Sequence, residues 1–173
     1  MPTPPRTSLD AIVTAGRAIL ETHGLAGLTM QATARAVGVK APSLYKHVAD
    51  RDALVGLIAD AAALDLAERL AAQDGLAGLA RELRAWARAH QEAYRLAFSG
   101  RGSEQALATA AAPVLATTRA LVGEESALDA ARLVTAWATG FLSMELAGAF
   151  RLGGSVDDAF EYGLDRLTAA LSR

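Results

Sequence analysis

The sequence contains no cysteine and few aromatic residues, and both absences limit what the chain can be. Without cysteine, disulfide scaffolds, thiolate zinc sites and cysteine nucleophiles are excluded. Aromatic residues make up 5% of the 173 residues, and nine valines and three isoleucines stand against 41 alanines and 25 leucines. Because β-branched and aromatic residues favour strands whereas alanine and leucine favour helices, this composition predicts an all-α fold.

Groups that carry out catalysis are also scarce. The three histidines, His23, His47 and His90, lie in three different predicted helices, and no HExxH, P-loop or dinucleotide-binding motif occurs. The GRGS segment at 100–103 lacks the preceding strand and the lysine of a phosphate-binding loop. We therefore expect a protein that is not an enzyme and that uses no metal or cofactor.

Targeting signals are missing as well. Residues 1–6 are rich in proline and contain no apolar run, so we expect no signal peptide. Residues 133–150 carry a single charge, at Glu145, but they include two threonines and a serine. A helix buried between its own core and a partner explains such a run more simply than a membrane span does. We expect a cytoplasmic protein with no membrane partner.

Charge is distributed unevenly along the chain. The formal net charge of −2 combines a basic beginning with an acidic remainder. Residues 1–48 carry five Lys and Arg against two acidic residues, a net charge of +3, and the other 125 residues carry 12 against 17, a net charge of −5. The first part is therefore compatible with a nucleic-acid partner.

Hydrophobic periodicity and capping residues predict about nine helices and no strand. The predicted helices are 9–24, 30–37, 42–47, 50–73, 76–98, 104–112, 113–122, 127–151 and 156–171. Pro113 is either a new helix start or a kink within one helix.

The window 28–54, LTMQATARAVGVKAPSLYKHVADRDAL, predicts a helix-turn-helix. Gly38 permits a positive φ at the turn, and Ala34 is small where two helices cross. Val39 and Leu44 provide apolar anchors for the second helix. This arrangement is what a protein needs to place side chains in the major groove of DNA.

Polar and basic side chains around this turn suit contacts with DNA. Lys40 and Lys46 can bind phosphate or guanine, and Gln31 can read adenine. Phosphate oxygens can accept hydrogen bonds from the remaining polar residues of the second helix, Ser43, Tyr45 and His47. The helix N-terminus near Thr29 favours a phosphate group.

The segment GVKAPSLYKHV, followed by Arg51 and Leu54, resembles the recognition segment of the tetracycline-repressor (TetR) family of transcriptional regulators, and the resemblance covers roughly residues 8–54. It implies the groove-facing residues Gln31, Lys40, Ala41, Pro42, Ser43, Tyr45, Lys46 and His47, and backbone contacts from Thr29 and Arg51. Ala41 can offer only apolar contact, for example to a thymine methyl group. The sequence departs from the family at Thr33, where a larger apolar residue is usual. This departure predicts looser packing under the predicted helix 30–37, which is the first helix of the helix-turn-helix.

The ending WATGFLSMELAGAFRLGGSVDDAFEYGLDRL resembles the C-terminal domain of an actinobacterial-type TetR subgroup. The resemblance implies an N-terminal helix-turn-helix DNA-binding domain at 1–48 and a C-terminal ligand-binding and dimerisation domain at 49–173, with 49–73 as connecting helix. It also implies that the last two helices pair with their copies in a second chain and so form the interface of a homodimer. The residues at 131–150 favour the same interface, because they are apolar on more faces than the core of one chain can use. The small residues Gly140, Ala147 and Gly148 permit close helix approach.

The fifth and eighth predicted helices contribute a candidate ligand site of mostly apolar character. Its residues are Trp86, His90, Tyr94, Trp137, Phe141, Met144 and Glu145. The alternative is that the aromatic residues and His90 are ordinary core. Glu145 either selects a cationic or hydrogen-bonding ligand or pairs with an arginine, such as Arg132 or Arg151, at an interface.

From these features we expect a homodimeric, ligand-responsive DNA-binding regulator, by resemblance most often a repressor. It would bind pseudopalindromic double-stranded operator DNA and be released by an unknown small-molecule effector. The alternative is a helical small-molecule-binding or scaffold dimer whose DNA-binding head has lost its function.

Overall fold

The computed structural model describes residues 7–172, which form nine helices and no β-strand. The helices are α1 (Leu9–Gly27), α2 (Met30–Ala36), α3 (Ala41–Leu44), α4 (Arg51–Ala71), α5 (Gly75–Ala89), α6 (Gln91–Ala97), α7 (Glu104–Val122), α8 (Ala127–Leu146) and α9 (Val156–Leu171). The predicted all-α fold is confirmed. Residues 1–6, where the sequence predicts no signal peptide, lie outside the described part.

The chain divides into two compact units. The first unit contains residues up to 64 together with 90–107, and the second contains 65–89 together with the residues from 108 onward. Helix α4 therefore begins in the first unit and ends in the second. The predicted domain division at residue 48 concerns function and stays a prediction.

The first unit has a core built from α1 to α4 and one residue of α6. Its buried apolar residues are Ile12, Leu20, Leu28, Met30, Ala34, Leu44, Val48, Leu54, Val55, Ile58, Ala59 and Leu96. The hydroxyl groups of Ser8 and Thr29 cap α1 and α2, accepting hydrogen bonds from the backbone N–H groups of Ala11 and Ala32. Gly38 has φ +73° at the turn between α2 and α3, a conformation that favours glycine.

The second unit is held together by an apolar and aromatic core among α5, α7, α8 and α9. Phe160 of α9 is fully buried, and the Trp137 ring of α8 stacks on it with ring centroids 5.2 Å apart. Gly163 makes room for this indole, because a Cβ atom at residue 163 would lie 2.7 Å from the Trp137 ring. The Ser155 hydroxyl caps α9 by accepting a hydrogen bond from the Asp158 N–H.

One long helix was predicted at 76–98, and the structure shows instead two helices, α5 and α6. The break lies at His90, whose backbone leaves the helical region with φ −131° and ψ 63°. The Glu21 carboxylate of α1 accepts hydrogen bonds from the N–H groups of Ala93 and Glu92 in the first turn of α6. A partner distant in sequence thus binds the new helix start, and a local pattern does not reveal it.

At Pro113 the structure has one helix where the sequence predicted two. Two helices were predicted to meet there, but α7 runs through it from Glu104 to Val122. Of the two alternatives for Pro113, a new helix start or a kink within one helix, the new start is wrong because α7 continues through this residue. Proline removes a single backbone hydrogen bond and adds one steric clash, costs of about 3 kcal/mol that the rest of a long helix can outweigh.

Helix α8 also ends earlier than predicted. It stops at Leu146, and Gly148 follows with φ +63°. The Ala149 and Gly148 N–H groups donate to the carbonyl oxygens of Met144 and Glu145, which satisfies the last turn and stops the helix. Among residues 7–172 no helix is long and apolar enough to cross a bilayer.

Candidate functional site

Helix α3 and the turn after it have one side in the core and one side in solvent. Leu44 and Val48 are buried at 0% and 3% exposure and fix the segment to the first unit. Lys40, Lys46 and His47 are exposed, and Tyr45 leaves 55% of its surface in solvent although it is a large aromatic residue. This places two cations, an imidazole and a phenol on one exposed segment.

Backbone hydrogen bonds define the conformation of that segment. The Ser43 N–H donates to the Lys40 carbonyl oxygen at 2.9 Å, and the His47 and Val48 N–H groups both donate to that of Leu44. Proline at the second helical residue, Pro42, is compatible with a helix start because its missing N–H has no partner there. The exposed side chains therefore project from a defined backbone.

Three of the other predicted contact residues are exposed to solvent, and two are less accessible. Gln31 and Thr29 are exposed at the start of α2, and Pro42 is exposed on α3. Ser43 is half-buried, and Ala41 packs against the core of the first unit. Their roles as DNA contacts stay predictions.

Arg51, predicted to contact the DNA backbone, has two hydrogen-bond partners within the chain. Its Nε donates to the Leu28 carbonyl oxygen at 2.7 Å and its Nη2 to that of Leu25 at 2.6 Å. Leu25 lies in the last turn of α1, after a kink at Gly24 with φ +64°, and Leu28 directly follows the helix. The Arg51 side chain therefore ties the start of α4 to the end of α1, beside α2.

The predicted ligand residues are divided between the two units. His90 and Tyr94 belong to the first unit, and the other five belong to the second. The Trp86 indole Nε1 donates to Asp65 Oδ2 at 3.1 Å, and Met144 leaves 48% of its surface exposed. Trp137 and Phe141 pack with Phe160 in an aromatic cluster. Their role as ligand contacts stays a prediction.

A small apolar pocket with a volume of about 40 Å³, open to solvent at its mouth, lies within the second unit. Five helices contribute to it, and the lining residues are Leu70, Leu76, Leu79, Ala80, Leu83, Val114, Val134, Thr135, Trp137, Ala138, Leu164 and Leu167. Trp137 is the member of the predicted ligand set found here. Sequence reasoning overlooked the leucines, although Leu76, Leu79 and Leu83 repeat at helical spacing, because such a stripe is also typical of ordinary core.

Glu145 lies in a cluster of charged side chains that joins α5, α8 and α9. Arg84 donates to both of its carboxylate oxygens, at 3.0 and 2.6 Å, and to Asp157 at 2.7 Å. Arg88 donates to the same two carboxylates. The Arg84 guanidinium also lies 4.5 Å from the centre of the Phe160 ring.

The partners of Glu145 are thus Arg84 and Arg88, and not Arg132 or Arg151. Arg132 bonds instead to Asp129 on its own helix, and Arg151 donates to the Gly148 carbonyl oxygen. The sequence did not reveal this pairing because it depends on α5 passing beside α8.

Charge pairing shifts the pKa values of three groups in this cluster, Glu145, Asp157 and Arg88. Burial raises the pKa of Glu145, but hydrogen bonds from Arg84 and Arg88 outweigh burial and hold that pKa below its ordinary value. The hydrogen bond from Arg88 lowers the pKa of Asp157, and the bond to Glu145 raises the pKa of Arg88. Two guanidinium groups and two carboxylates therefore neutralise one another.

A helix-turn-helix with basic and polar side chains exposed around its second helix is the arrangement that DNA-binding transcriptional regulators use. Residues 12–58 match the family profile described as bacterial regulatory proteins, tetR family. Residues 76–167 match the profile described as tetracyclin repressor-like, C-terminal domain. The chain belongs to the TetR family.

Relatives of known sequence agree with this assignment. The HTH-type transcriptional regulator Rv1816 of Mycobacterium tuberculosis is 34% identical over 93 residues. The match covers 47% of this chain and 40% of that protein, so the chain spans less than half the length of the curated relative.

Solved structures share the fold over nearly the whole chain. The crystal structure of the regulatory protein SCO4313 has a TM-score of 0.78 at 28% identity, covering 95% of this chain and 98% of that one. A TetR from Acinetobacter baumannii AYE in complex with minocycline has a TM-score of 0.74 at 23% identity, covering 96% and 97%. The latter likeness shows the fold alone.

Proposed function

We propose that the protein binds a pseudopalindromic operator in double-stranded DNA as a homodimer, represses transcription and is released by a small-molecule effector. The observation that carries this proposal is the exposed group Lys40, Tyr45, Lys46 and His47 beside the buried anchors of α3. An exposed aromatic residue and two exposed cations suit a DNA partner, because the cations can bind its phosphate groups and the aromatic residue can contact phosphate or base edges. Because operator DNA is read inside the bacterial cell, this function places the protein in the cytoplasm.

The unpartnered faces of α8 and α9 support a homodimer through the last two helices. Leu133 and Met144 leave 51% and 48% of their surfaces exposed on α8, and Tyr162 leaves 65% exposed on α9. Gly140 lies between the two α8 residues, and a Cβ atom there would meet nothing within 4 Å. An apolar face with a small residue at its centre suits close packing against a copy of itself.

Release by an effector is supported by the pocket in the second unit. Its lining includes Leu70, which belongs to α4, and the same helix begins at Arg51 beside the helix-turn-helix. A ligand that fits only one position of α4 would shift the separation of two recognition helices, which must match successive major grooves about 34–36 Å apart.

Selection of bound sequences from random duplex DNA tests the proposal. We expect enrichment of an inverted repeat whose half-site centres are one helical turn apart, and affinity that falls steeply with salt as phosphate contacts release counterions. Failure to enrich any sequence, together with flat salt dependence, would favour a small-molecule-binding or scaffold dimer without DNA binding.

A further inference from the structure

The hydrogen bond between Arg51 and Leu28 encloses the whole helix-turn-helix. Residues 29–50 lie between its two partners, and they contain α2, the turn at Gly38, α3 and the exposed segment after α3. The second bond, from Arg51 Nη2 to the Leu25 carbonyl oxygen, fixes the same guanidinium to the last turn of α1. One side chain therefore joins the two ends of the segment that carries the predicted DNA contacts.

Both ends of this segment are also defined locally. At the first end, the Thr29 hydroxyl caps α2. At the other end, Asp50 Oδ1 accepts a hydrogen bond from the Ala53 N–H at 2.8 Å and so caps α4. Neither cap connects one end to the other, whereas Arg51 does.

The carbonyl groups that Arg51 binds are suitable partners for a cation. Carbonyl groups in the last turn of a helix have no partner within the helix, and they carry the negative end of its dipole. Hydrogen bonds from a charged donor are about twice as strong as those between neutral groups. The contact therefore limits how far α2 and α3 can move relative to α1 and the start of α4.

The same geometry disfavours a phosphate at Arg51. Arginine binds phosphate best through two parallel N–H groups, and the edge formed by Nε and Nη2 is occupied by the two carbonyl groups. A phosphate that took this edge would remove the donor from both. The charged side chains around Arg51 are Asp50, Asp52 and Arg101, with Arg101 3.7 Å from Asp52. Two cations and two carboxylates give no net positive charge to attract a phosphate.

We propose that Arg51 is a positioning residue, which clamps the segment 28–51 and holds α2 and α3 in the orientation that operator recognition requires, and that it is not a DNA backbone contact. This inference rests on the proposed DNA-binding function. It replaces the role that the family resemblance implies for this residue.

Specific and non-specific DNA distinguish the two roles. Loss of a phosphate contact weakens binding to all duplexes about equally and lowers the salt slope by about 1, whereas loss of positioning weakens the operator complex alone. Fluorescence anisotropy of the full chain with a selected operator and with a scrambled duplex of equal length measures both. We expect Arg51→Gln to weaken operator binding by about ten-fold or more. Binding to the scrambled duplex should stay within about two-fold, with an unchanged salt slope. Equal losses on both duplexes, or wild-type operator affinity, would overturn the proposal.

Arg51→Lys separates charge from geometry. Lysine keeps the positive charge that a phosphate needs, but it lacks the planar fork that binds two carbonyl groups at once. We expect this variant to lose about five-fold or more in operator affinity, again with little change on the scrambled duplex. Full rescue of operator binding by lysine would show that charge alone is needed and would contradict the clamp.

Arg119→Gln is the matched control, because it removes the same charge from an exposed arginine of the second unit. Its affinity for both duplexes should stay within about two-fold of wild type. Urea unfolding identifies a variant that does not fold, and the other Arg51 variant then decides. A variant that only loses folded molecules binds both duplexes less in the same proportion, so reduced stability alone does not imitate the expected result.

Urea unfolding also separates this inference from the proposed function, because it needs no DNA. Both Arg51 variants should unfold at a lower urea concentration than wild type and Arg119→Gln. An unchanged midpoint in both would show that the clamp contributes nothing. If the wild-type chain selects no operator, the proposed function fails, and the role of Arg51 in recognition fails with it. If the operator binds equally well to wild type and to both Arg51 variants, the DNA-binding function stands and the positioning role is wrong.

Discussion

At the residue scale, Thr33 is a polar residue whose hydroxyl group is buried without a hydrogen-bond partner among the described residues. It is fully buried under α2, and within residues 7–172 its hydroxyl oxygen has no hydrogen-bond partner. A buried hydroxyl without a partner costs about 1–3 kcal/mol. The sequence marked this residue as a departure from the family pattern, but the full burial depends on how α2 sits in the first unit.

Replacing Thr33 with valine should therefore stabilise the protein, because the side chain keeps its shape and loses the unpaired hydroxyl. We expect Thr33→Val to raise the free energy of unfolding by about 1 kcal/mol in urea denaturation.

Thr118→Val is the matched control, because the Thr118 hydroxyl is also buried but has carbonyl partners, including that of Ala127 at 2.9 Å. This control should lose about 1–2 kcal/mol. The same sign of effect in both variants would contradict the interpretation.

At the scale of helices, the sequence predicted the number of elements correctly through two errors that cancel. One predicted helix is divided at His90, and two predicted helices are joined through Pro113. The first error arises from Glu21, a residue distant in sequence that binds the start of α6. Helix starts capped by their own Ser or Thr, such as Ser8, Thr29 and Ser155, were predicted correctly because the cap is local.

The packing of α8 on α9 depends on a missing side chain. We expect Gly163→Ala to destabilise the protein by about 1–3 kcal/mol, although alanine favours helices, because its Cβ would lie 2.7 Å from the rigid Trp137 ring. Thermal or urea unfolding measures the effect.

The smaller ring of Trp137→Phe should reduce the cost of Gly163→Ala in a double-mutant cycle. Additive effects of the two changes would show that the Trp137 ring does not set the spacing.

The charged cluster between α5, α8 and α9 predicts a pH dependence. Because the folded-state pKa of Glu145 lies below its value in the unfolded chain, about 4.3, its stabilisation is complete above that value and is lost as pH falls through the folded-state pKa. We expect Glu145→Gln to lower the free energy of unfolding by about 1–3 kcal/mol at pH 7. In this variant the free energy of unfolding should also fall less steeply as the pH decreases.

Glu125→Gln changes an exposed carboxylate outside the cluster, and should leave the acid profile of the wild type unchanged. Identical acid profiles of Glu145→Gln and wild type would show that the cluster contributes nothing to acid stability.

At the scale of the whole molecule, the exposed faces of α8 and α9 predict the oligomeric state. Leu133→Glu should convert the dimer to a monomer in analytical ultracentrifugation, because the new carboxylate would be buried without a partner at the interface. Leu107→Glu makes the same change at an exposed leucine of α7 and should leave the dimer intact. A monomeric wild type, or a dimeric Leu133→Glu variant, would place the interface elsewhere.

We propose that the exposed residues of α3 and of the turn after it read DNA, and the operator affinity of a double variant tests this role. Fluorescence anisotropy with a selected operator should show that Tyr45→Ala with Lys46→Ala weakens binding by about 100-fold, at about 1–3 kcal/mol per contact. The sedimentation of the dimer should not change, and Arg119→Ala, which removes an exposed cation of α7 in the second unit, should bind as wild type. Unchanged affinity in the double variant would contradict the account.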